Sequence, residues 1–212
     1  MVINITRKLA IIGACGHGKV LADIAVKMEY EEIIFFDDYK TITEYGGYLV
    51  AGKSTEIEKY ECDVAIAIGN PNIRQLFQEK IEVAGRNIPI LAHPDAVIAK
   101  DTLIGVGTVI MAGAVISPGS IVGKGCIINT CSSVDHDCII EDYVHIAVGA
   151  HLAGAVKIGT KTWIGAGAVV KNDIDICAGC MIGTGAVVVK NIETSGTYVG
   201  VPVREMQECR GK

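Results

Sequence analysis

IAKDTLIGVGTVIMAGAVISPGSIVGKGCIINTCSSVDHDCIIEDYVHIAVGAHLAGAVKIGTKTWIGAGAVVKNDIDICAGCMIGTGAVV spans residues 98–188, and every sixth residue in it is aliphatic. The aliphatic positions are Ile98, Ile104, Ile110, Ile116, Val122, Ile128, Val134, Ile140, Ile146, Leu152, Ile158, Ile164, Val170, Ile176, Ile182 and Val188. A period of six matches neither the α-helical turn nor the alternation of a simple β-strand. It indicates a solenoid whose short strands turn a corner every six residues.

The positions beside the aliphatic ones support this interpretation. Two residues earlier the side chain is mostly small: Thr102, Thr108, Ala114, Ser120, Cys126, Ser132, Cys138, Ala150, Thr162, Ala168, Cys180, Ala186. One residue later stand Gly105, Gly123, Asn129, Asp135, Gly159, Gly165 and Gly183. These residue types tolerate positive φ, so we expect them at tight corners. The pattern is identified as the hexapeptide repeat of the left-handed parallel β-helix.

The first 90 residues lack this period. They predict strands at 9–12, 33–36, 64–68 and 88–91, a helix that ends near Met28, and a second helix opened by Pro71. Alternating strands and helices predict a small Rossmann-like parallel sheet with right-handed crossovers. We therefore expect an α/β domain over residues 1–90, an all-β left-handed parallel β-helix over 91–193, and a C-terminal tail over 194–212 that leaves the prism.

Composition narrows the classes of function. The chain has 212 residues, a net charge of −5 and a pI near 5.5, whereas nucleic-acid-binding proteins usually carry a basic surface. We expect no nucleic-acid partner. No stretch is long enough to span a membrane. Arg7 and Lys8 precede an apolar run that ends at Cys15, but this run is short for a signal peptide and ends in a glycine-rich loop.

Eight cysteines could suggest a disulfide framework. Cys126, Cys138 and Cys180 fall on small inward positions of the repeat, where cysteine packs as a small hydrophobe. Cys177 and Cys180 are three residues apart, but no second pair completes a zinc-site spacing. A reducing cytoplasm is the expected compartment.

A ligand site is predicted at the strand ends of the first domain. The loop between Gly13 and Gly18 follows a strand and opens a helix, a geometry in which backbone N–H groups meet phosphate. The pair Asp37 and Asp38 follows the second strand, and Gly69 follows the third. Because ligands bind at the carboxyl ends of parallel strands, these loops are expected in one crevice. The alternatives are three ordinary loops or, less well supported without a GxGxxG spacing, a nicotinamide site.

Three histidines, His136, His145 and His151, lie in the middle of the repeat. Histidine is the usual general base near neutral pH, and Asp135 and Asp137 flank His136. The alternatives are a solvated histidine at a polar corner and a metal site, but the histidine spacing does not match that of zinc enzymes with this fold. We expect no metal.

A row of lysines marks the later coils: Lys157, Lys161, Lys171 and Lys190. Such a row is most often a solvated face. The other interpretation is a binding surface for the phosphates of a pantetheine cofactor.

Almost the whole chain resembles the sialic acid O-acetyltransferase and UDP-4-amino-sugar N-acetyltransferase family, which contains the bacillosamine-pathway acetyltransferase. The matching stretches are IIGACGHGKV, IFFDDYK, AIAIGNPNIR, INTCSSVDHDCIIEDYVHIAVGAHLAGAVKIG and GVPVR. The resemblance implies a homotrimer, with acetyl-CoA in the groove between neighbouring prisms and a nucleotide sugar on the N-terminal domain.

The resemblance also implies roles for individual residues. His136 matches the general base and Asp137 the acidic residue that supports it. The substrate-binding positions are Cys15, Gly16, His17, Asp37, Asp38, Gly69 and Asn72. The acetyl-CoA positions are His145, near the thioester, and Ala166 and Thr184 on later coils. Some relatives carry serine at the position of Cys15 and glutamate at that of Asp137.

The implied reaction moves an acetyl group from acetyl-CoA to the 4-amino group of a UDP-linked amino-deoxy sugar. The IFFDDYK context favours the amine acceptor. O-acetylation of sialic acid or a related sugar is the alternative. The alternative from a different functional class is a non-catalytic or metal-dependent trimer.

Overall fold

The computed structural model describes residues 7–39 and 41–206. The chain divides into two units, Met1–Pro94 and Asp95–Lys212. The first contains β1 (Lys8–Ile12), α1 (Gly16–Lys27), β2 (Glu32–Phe36), β3 (Glu44–Tyr45), β4 (Tyr48–Gly52), a 3-10 helix (Ser54–Lys59), β5 (Asp63–Ile66), α2 (Pro71–Val83) and β6 (Leu91–Ala92).

The first unit is built on a five-stranded sheet in the order β3-β4-β2-β1-β5. The strand β1 lies between β2 and β5 and is parallel to both. After Lys8 it is apolar because both faces are covered, and residues 9–11 are fully buried. This arrangement confirms the predicted parallel sheet and brings the carboxyl ends of β1, β2 and β5 to one edge.

One feature of this unit was not predicted, and one prediction for it is wrong. The hairpin of β3 and β4, which is antiparallel, was not predicted, although its Gly46-Gly47 turn, with φ of 64° and 85°, is a recognisable hairpin signal. Residues 88–91 do not form a strand of the sheet, since only the two-residue β6 forms there. By contrast, Pro71 does open α2, as predicted. The Asn70 side chain caps that helix by accepting N–H bonds from Asn72 and Ile73.

The second unit is a prism of two-residue strands stacked in three walls. Wall 1 contains β7 (Val97–Ile98), β10 (Val115–Ile116), β13 (Ser133–Val134), β16 (His151–Leu152), β19 (Val169–Val170) and β22 (Val187–Val188). Wall 2 contains β8 (Leu103–Ile104), β11 (Ile121–Val122), β14 (Ile139–Ile140), β17 (Lys157–Ile158) and β20 (Asp175–Ile176). Wall 3 contains β9 (Val109–Ile110), β12 (Ile127–Ile128), β15 (His145–Ile146), β18 (Trp163–Ile164), β21 (Met181–Ile182), β23 (Thr197–Val199) and β24 (Arg204–Glu205).

The aliphatic ladder forms the core of the prism, as predicted. From Ile110 to Val188 each member is at most 2% exposed, whereas Ile98 and Ile104 in the first coil are half-buried. Neighbouring coils pair in parallel with three hexads between partners, as in Val115 with Ser133. The prediction of a β-helix is confirmed in each wall.

The corner glycines have a different role from the one predicted. Positive φ occurs three residues after each aliphatic position from Ile104 to Ile182, not one residue after it. The positions are Gly107, Gly113, Gly119, Gly125, Cys131, Asp137, Tyr143, Gly149, Ala155, Lys161, Gly167, Asp173, Gly179 and Gly185. The glycines one residue after the ladder are instead required by close approach of the next coil. At Gly159, for example, a Cβ would lie 2.4 Å from the backbone nitrogen of Ala178.

The C-terminal segment also differs from the prediction, because it does not simply leave the prism. The strand β23 adds to β21 in parallel and β24 pairs with β23 in antiparallel fashion. The strand β23 satisfies the hydrogen-bonding edge that β21 would otherwise expose, and β24 covers the outer edge of β23. Within the residues that the structure describes, no helix is both long and apolar enough to cross a membrane.

Candidate functional site

His136 and Asp137 lie at the corner between walls 1 and 2, where the chain passes from β13 to β14. The His136 Nδ1 atom is 2.9 Å from Asp137 Oδ2, and the two side chains are 60% and 69% exposed. Asp137 has a φ of 59°, a conformation that aspartate adopts more readily than most residues. The corner therefore presents a solvent-accessible histidine already paired with a carboxylate.

The surrounding charge tunes this histidine. The hydrogen bond that His136 Nδ1 donates to Asp137 is the main cause that raises the pKa of His136 above its ordinary value, followed by the negative charge of Asp135, while desolvation opposes them. Since a carboxylate only accepts hydrogen bonds, the neutral imidazole carries its proton on Nδ1. The Nε2 atom is then the basic position, which suits a general base.

Two glycines that the sequence analysis did not select shape this corner. A Cβ at Gly154 would lie 2.5 Å from the Cε1 and Nε2 atoms of His136, and a Cβ at Gly119 would lie 2.5 Å from Asp137 Oδ1. Each glycine is one coil, or three hexads, from the residue it contacts. That spacing is a signal in the sequence that could have identified both.

His145 lies on the outward side of wall 3 and is only 8% exposed. Its imidazole lies 4.1 Å, centroid to centroid, from the ring of Trp163 on the next coil. The Asn129 amide oxygen accepts the Thr130 N–H at 2.8 Å, so the amide nitrogen faces His145 Nε2 at 3.1 Å. Asn129 thereby assigns Nε2 as the hydrogen-bond acceptor of the neutral ring. The sequence analysis did not anticipate this role for Asn129 or Trp163.

The predicted acetyl-CoA positions Ala166 and Thr184 occupy the corner between walls 3 and 1. They are stacked one coil apart, and the N–H that follows Thr184, that of Gly185, donates to the Ala166 carbonyl at 2.8 Å. Ala166 is half-buried and Thr184 is exposed. This corner is not the one that carries His136, so the fold of a single chain leaves the predicted base and the predicted cofactor residues on different corners.

His151 lies on wall 1, directly above Ser133 of the preceding coil. The Ser133 hydroxyl and His151 Nδ1 are 2.9 Å apart, and the histidine is exposed. Within residues 7–39 and 41–206, no carboxylate bonds to His151 as Asp137 bonds to His136, so His151 provides an internal comparison for that residue.

The first unit has a cavity of about 300 Å³ at the carboxyl ends of its parallel strands. Five residues from the predicted loops line it: Gly13, Cys15, Asp37, Asp38 and Gly69. The rest of the lining is largely apolar and includes Ile68 and Phe77. The structure thus brings the three predicted loops into one crevice, with polar groups on one side and an apolar wall on the other.

The two aspartates hold the loops of this crevice together. The Asp37 carboxylate accepts the backbone N–H groups of Ala14, at 2.9 Å, and Tyr39, at 3.0 Å. The Asp38 carboxylate accepts the N–H and hydroxyl of Ser54 at 2.8 and 2.9 Å.

Three of the predicted substrate-binding residues lie outside the lining of this cavity. Gly16 and Asn72 are exposed in the first turns of α1 and α2. His17 lies beside Arg74, and burial, with a smaller effect of the Arg74 charge, lowers the pKa of His17 to about 4. His17 is therefore neutral at physiological pH, and its buried Nε2 has no hydrogen-bond partner among the described residues.

Arg74 is a further residue that the sequence analysis missed. It is only 2% exposed, and its guanidinium donates to the carbonyls of Ile68, at 2.9 Å, and Gly69, at 2.7 Å. A buried cation that holds the end of the third loop sets the shape of the crevice.

Among residues 7–39 and 41–206, no group of three or more histidine, cysteine or acidic side chains is placed to hold a metal ion.

The chain is similar to proteins of known activity. Residues 8–81 match the family model described as the PglD N-terminal domain. The chain is 34% identical to GDP-perosamine N-acetyltransferase of Escherichia coli O157:H7, over 93% of this chain and 95% of that protein. It is 36% identical to UDP-N-acetylbacillosamine N-acetyltransferase of Bacillus subtilis (strain 168), over 48% of this chain and 50% of that protein.

A solved structure extends the match to the full fold. The acetyltransferase domain of PglB from Neisseria gonorrhoeae FA1090, in complex with acetyl coenzyme A, superposes with a TM-score of 0.92 and 40% sequence identity. The match covers 95% of this chain and all of that domain.

Replacing Asp137 by asparagine removes the carboxylate that most strongly favours the imidazolium form of His136. We expect the pKa of His136 to fall in Asp137→Asn, and an NMR titration of the His136 ring will measure it. Glu141→Gln is the matched control, because Glu141 bonds to Thr160 on the next coil. An unchanged His136 pKa in Asp137→Asn would show that the hydrogen bond does not tune the histidine.

Proposed function

The chain belongs to the family of nucleotide-sugar N-acetyltransferases that contains the GDP-perosamine and UDP-N-acetylbacillosamine enzymes, and on that basis we propose its reaction. It transfers the acetyl group of acetyl-CoA to the 4-amino group of a nucleotide-linked amino-deoxy sugar, and we expect the nucleotide to be UDP. The observation that carries this proposal is the exposed His136, whose Nδ1 is bound to Asp137 and whose Nε2 is the basic atom.

The proposed mechanism needs one base and close positioning of the two substrates. The amine nitrogen attacks the thioester carbonyl carbon, the carbon–sulfur bond breaks, and coenzyme A leaves. His136 Nε2 takes the proton that the nitrogen sheds and returns it to the departing sulfur, so that the histidine ends the cycle neutral. Holding acceptor and thioester together supplies a further large part of the rate.

Asp137 acts through His136. It keeps the ring proton on Nδ1, orients the imidazole, and stabilises the imidazolium that forms when the amine loses its proton. Gly154 leaves room for the ring, since any side chain there would contact the basic nitrogen. These contacts support a histidine that is held in one orientation before the substrates bind.

We propose that the crevice of the first unit binds the nucleotide part of the acceptor. Its polar side carries Cys15, Asp37, Asp38 and Gly69, and its apolar side suits the face of a base. Gly16, His17 and Asn72 lie beside rather than in the cavity, and the backbone N–H groups at the start of α1 are placed to meet phosphate.

We further propose that the active enzyme is a homotrimer. His136 lies on one corner of the prism, whereas His145, Ala166 and Thr184 lie on wall 3 and the corner after it. His136 of one prism can act on a thioester that is bound by His145, Ala166 and Thr184 of a neighbouring prism. Acetyl-CoA then occupies the groove between subunits.

The free thiols of the described cysteines are consistent with a cytoplasmic location.

The activity test is release of coenzyme A thiol from acetyl-CoA against UDP-, GDP- and CMP-linked amino sugars. We expect turnover with an amino sugar, UDP-linked by our proposal, and a loss of about 10² to 10⁴ in rate for His136→Ala. Because the base must be unprotonated, the wild-type rate should rise with pH through the raised pKa of His136. That rise should flatten in the variant.

His151→Ala is the matched control for this experiment, because His151 is an exposed histidine of the same repeat whose ring is paired with the Ser133 hydroxyl and not with a carboxylate of the described part of the chain. It should keep near wild-type turnover. Near-normal turnover of His136→Ala with saturating acceptor would make His136 a bystander, and inactivity of the wild type with every amino sugar would reject the proposed acceptor class.

The nucleotide site is tested by the paired change Asp37→Ala and Asp38→Ala. This variant loses the carboxylates that hold the crevice loops, so its affinity for the nucleotide sugar should fall while that for acetyl-CoA stays near wild type. Calorimetric titration of each ligand measures both. Asp23→Ala, on the exposed face of α1, is the control. Equal losses of both affinities would contradict a separate nucleotide site.

The oligomeric state is tested by light scattering of the purified protein at micromolar concentration. We expect a mass three times that of the chain, because the proposed site draws residues from two subunits. A monomer that retains full activity would contradict the shared site.

A further inference from the structure

Cys177 and Cys180 face each other across the turn that joins β20 to β21. Their sulfur atoms are 3.5 Å apart, and Gly179 within the turn has a φ of 72°. A four-residue turn brings its end residues close together, within the range of Cα separations that disulfides use. The two thiols are thus placed for bond formation with little movement of the backbone.

The other inward cysteines show that this arrangement is not a property of the repeat. Cys126 donates to the Glu141 carbonyl at 3.1 Å, and Cys138 donates to the Ala153 carbonyl at 3.2 Å. The contact of Cys180 with the Thr194 carbonyl is longer, at 3.7 Å. Cys180 alone of the three has a second cysteine three residues earlier, where the others have Gly123 and Asp135.

The end of the prism makes room for a side chain at residue 177. The corresponding corner position is occupied by Glu141 two coils earlier and by Gly159 one coil earlier. A Cβ at Gly159 would collide with the following coil. At the last coil the register changes, because Ile176 bridges to Ile192 and not to residue 194, the next position of the repeat. The Cys177 side chain is therefore accommodated and can approach Cys180.

The two thiols differ in accessibility. Cys177 is half-buried and lines an open cavity of about 680 Å³ together with Lys157 and Asp175. Cys180 is 2% exposed, and burial, followed by its hydrogen bond with Cys177, raises the pKa of its thiol to about 12. An oxidant from solution therefore reaches Cys177 first, and the buried Cys180 is the thiol that resolves the resulting mixed disulfide.

We propose that Cys177 and Cys180 form a reversible dithiol–disulfide modification site in the last coil, oxidised by a low-molecular-weight disulfide. In the first step the Cys177 thiolate attacks one sulfur of that disulfide, and one small thiol leaves with the proton from Cys177. In the second step the Cys180 thiolate attacks the Cys177 sulfur, and the second small thiol leaves with the proton from Cys180. The protein dithiol is oxidised and the small disulfide is reduced to two thiols.

The full-length native protein tests this proposal. It is equilibrated in buffers of oxidised and reduced glutathione, its free thiols are alkylated, and its cysteine peptides are analysed by mass spectrometry. We expect an intramolecular Cys177–Cys180 disulfide, reversed by dithiothreitol, and formed at a lower ratio of oxidised to reduced glutathione than any modification of the exposed Cys131.

Variants separate the two steps. Cys180→Ala, a substitution to a residue common at this inward position, should retain glutathione on Cys177 because the resolving thiol is absent. Cys177→Ser should leave Cys180 unmodified because it is buried. Cys126→Ala and Cys138→Ala are matched inward controls and should form the disulfide normally.

The proposal is overturned if wild-type Cys177 and Cys180 remain free thiols under conditions that place glutathione on Cys131. It is equally overturned if wild-type Cys177 accumulates the glutathione adduct without forming the internal disulfide. Should Cys180→Ala fail to fold, the wild type and Cys177→Ser still decide between these outcomes.

Discussion

Stacking of one coil on the next is the constraint on which the second unit depends. Each strand from β7 to β22 has only two residues, too few to be stable alone, and its backbone groups are satisfied by the coils before and after it. The N–H of Val115 donates to the carbonyl of Ser132, and that of Ser133 to the carbonyl of Ala150, each one coil further on. Insertion of a single residue would turn the following aliphatic residues out of the core and break the hydrogen bonds between neighbouring coils.

The same register builds the candidate catalytic corner. Because coils repeat every three hexads, His136 is always opposite Gly154, and Asp137 opposite Gly119. The left-handed backbone at Asp137 belongs to the periodic series of positive φ values, so the carboxylate is directed by the fold itself. A structural requirement of the β-helix and the orientation of the proposed base are thus satisfied by one residue.

Two histidines show how strongly location controls chemistry in this protein. His136 is exposed among carboxylates, and its pKa is raised. His17 is buried beside Arg74, and its pKa is lowered to about 4. His136 lies in the turn after β13 and His17 in the first turn of α1. The first is suited to exchange protons near neutral pH, whereas the second is restricted to the neutral form. Burial favours neutral groups, whereas a nearby opposite charge favours ionised ones.

The sequence alone determined the β-helix, the parallel sheet before it and the pairing of His136 with Asp137, because each depends on short-range spacing. The repeat period, the turn residues and the adjacent side chains can all be read directly along the sequence. It did not identify Gly154, Gly119, Arg74 or the true position of positive φ, and it misjudged the C-terminal strands. Those features depend on which residues meet between coils or between α2 and a strand end. The three-hexad spacing relates Gly154 and Gly119 to their partners along the sequence. The contact of Arg74 with the carbonyls after β5 and the pairing of β23 with β21 arise only when the chain folds, so the tertiary structure decided them.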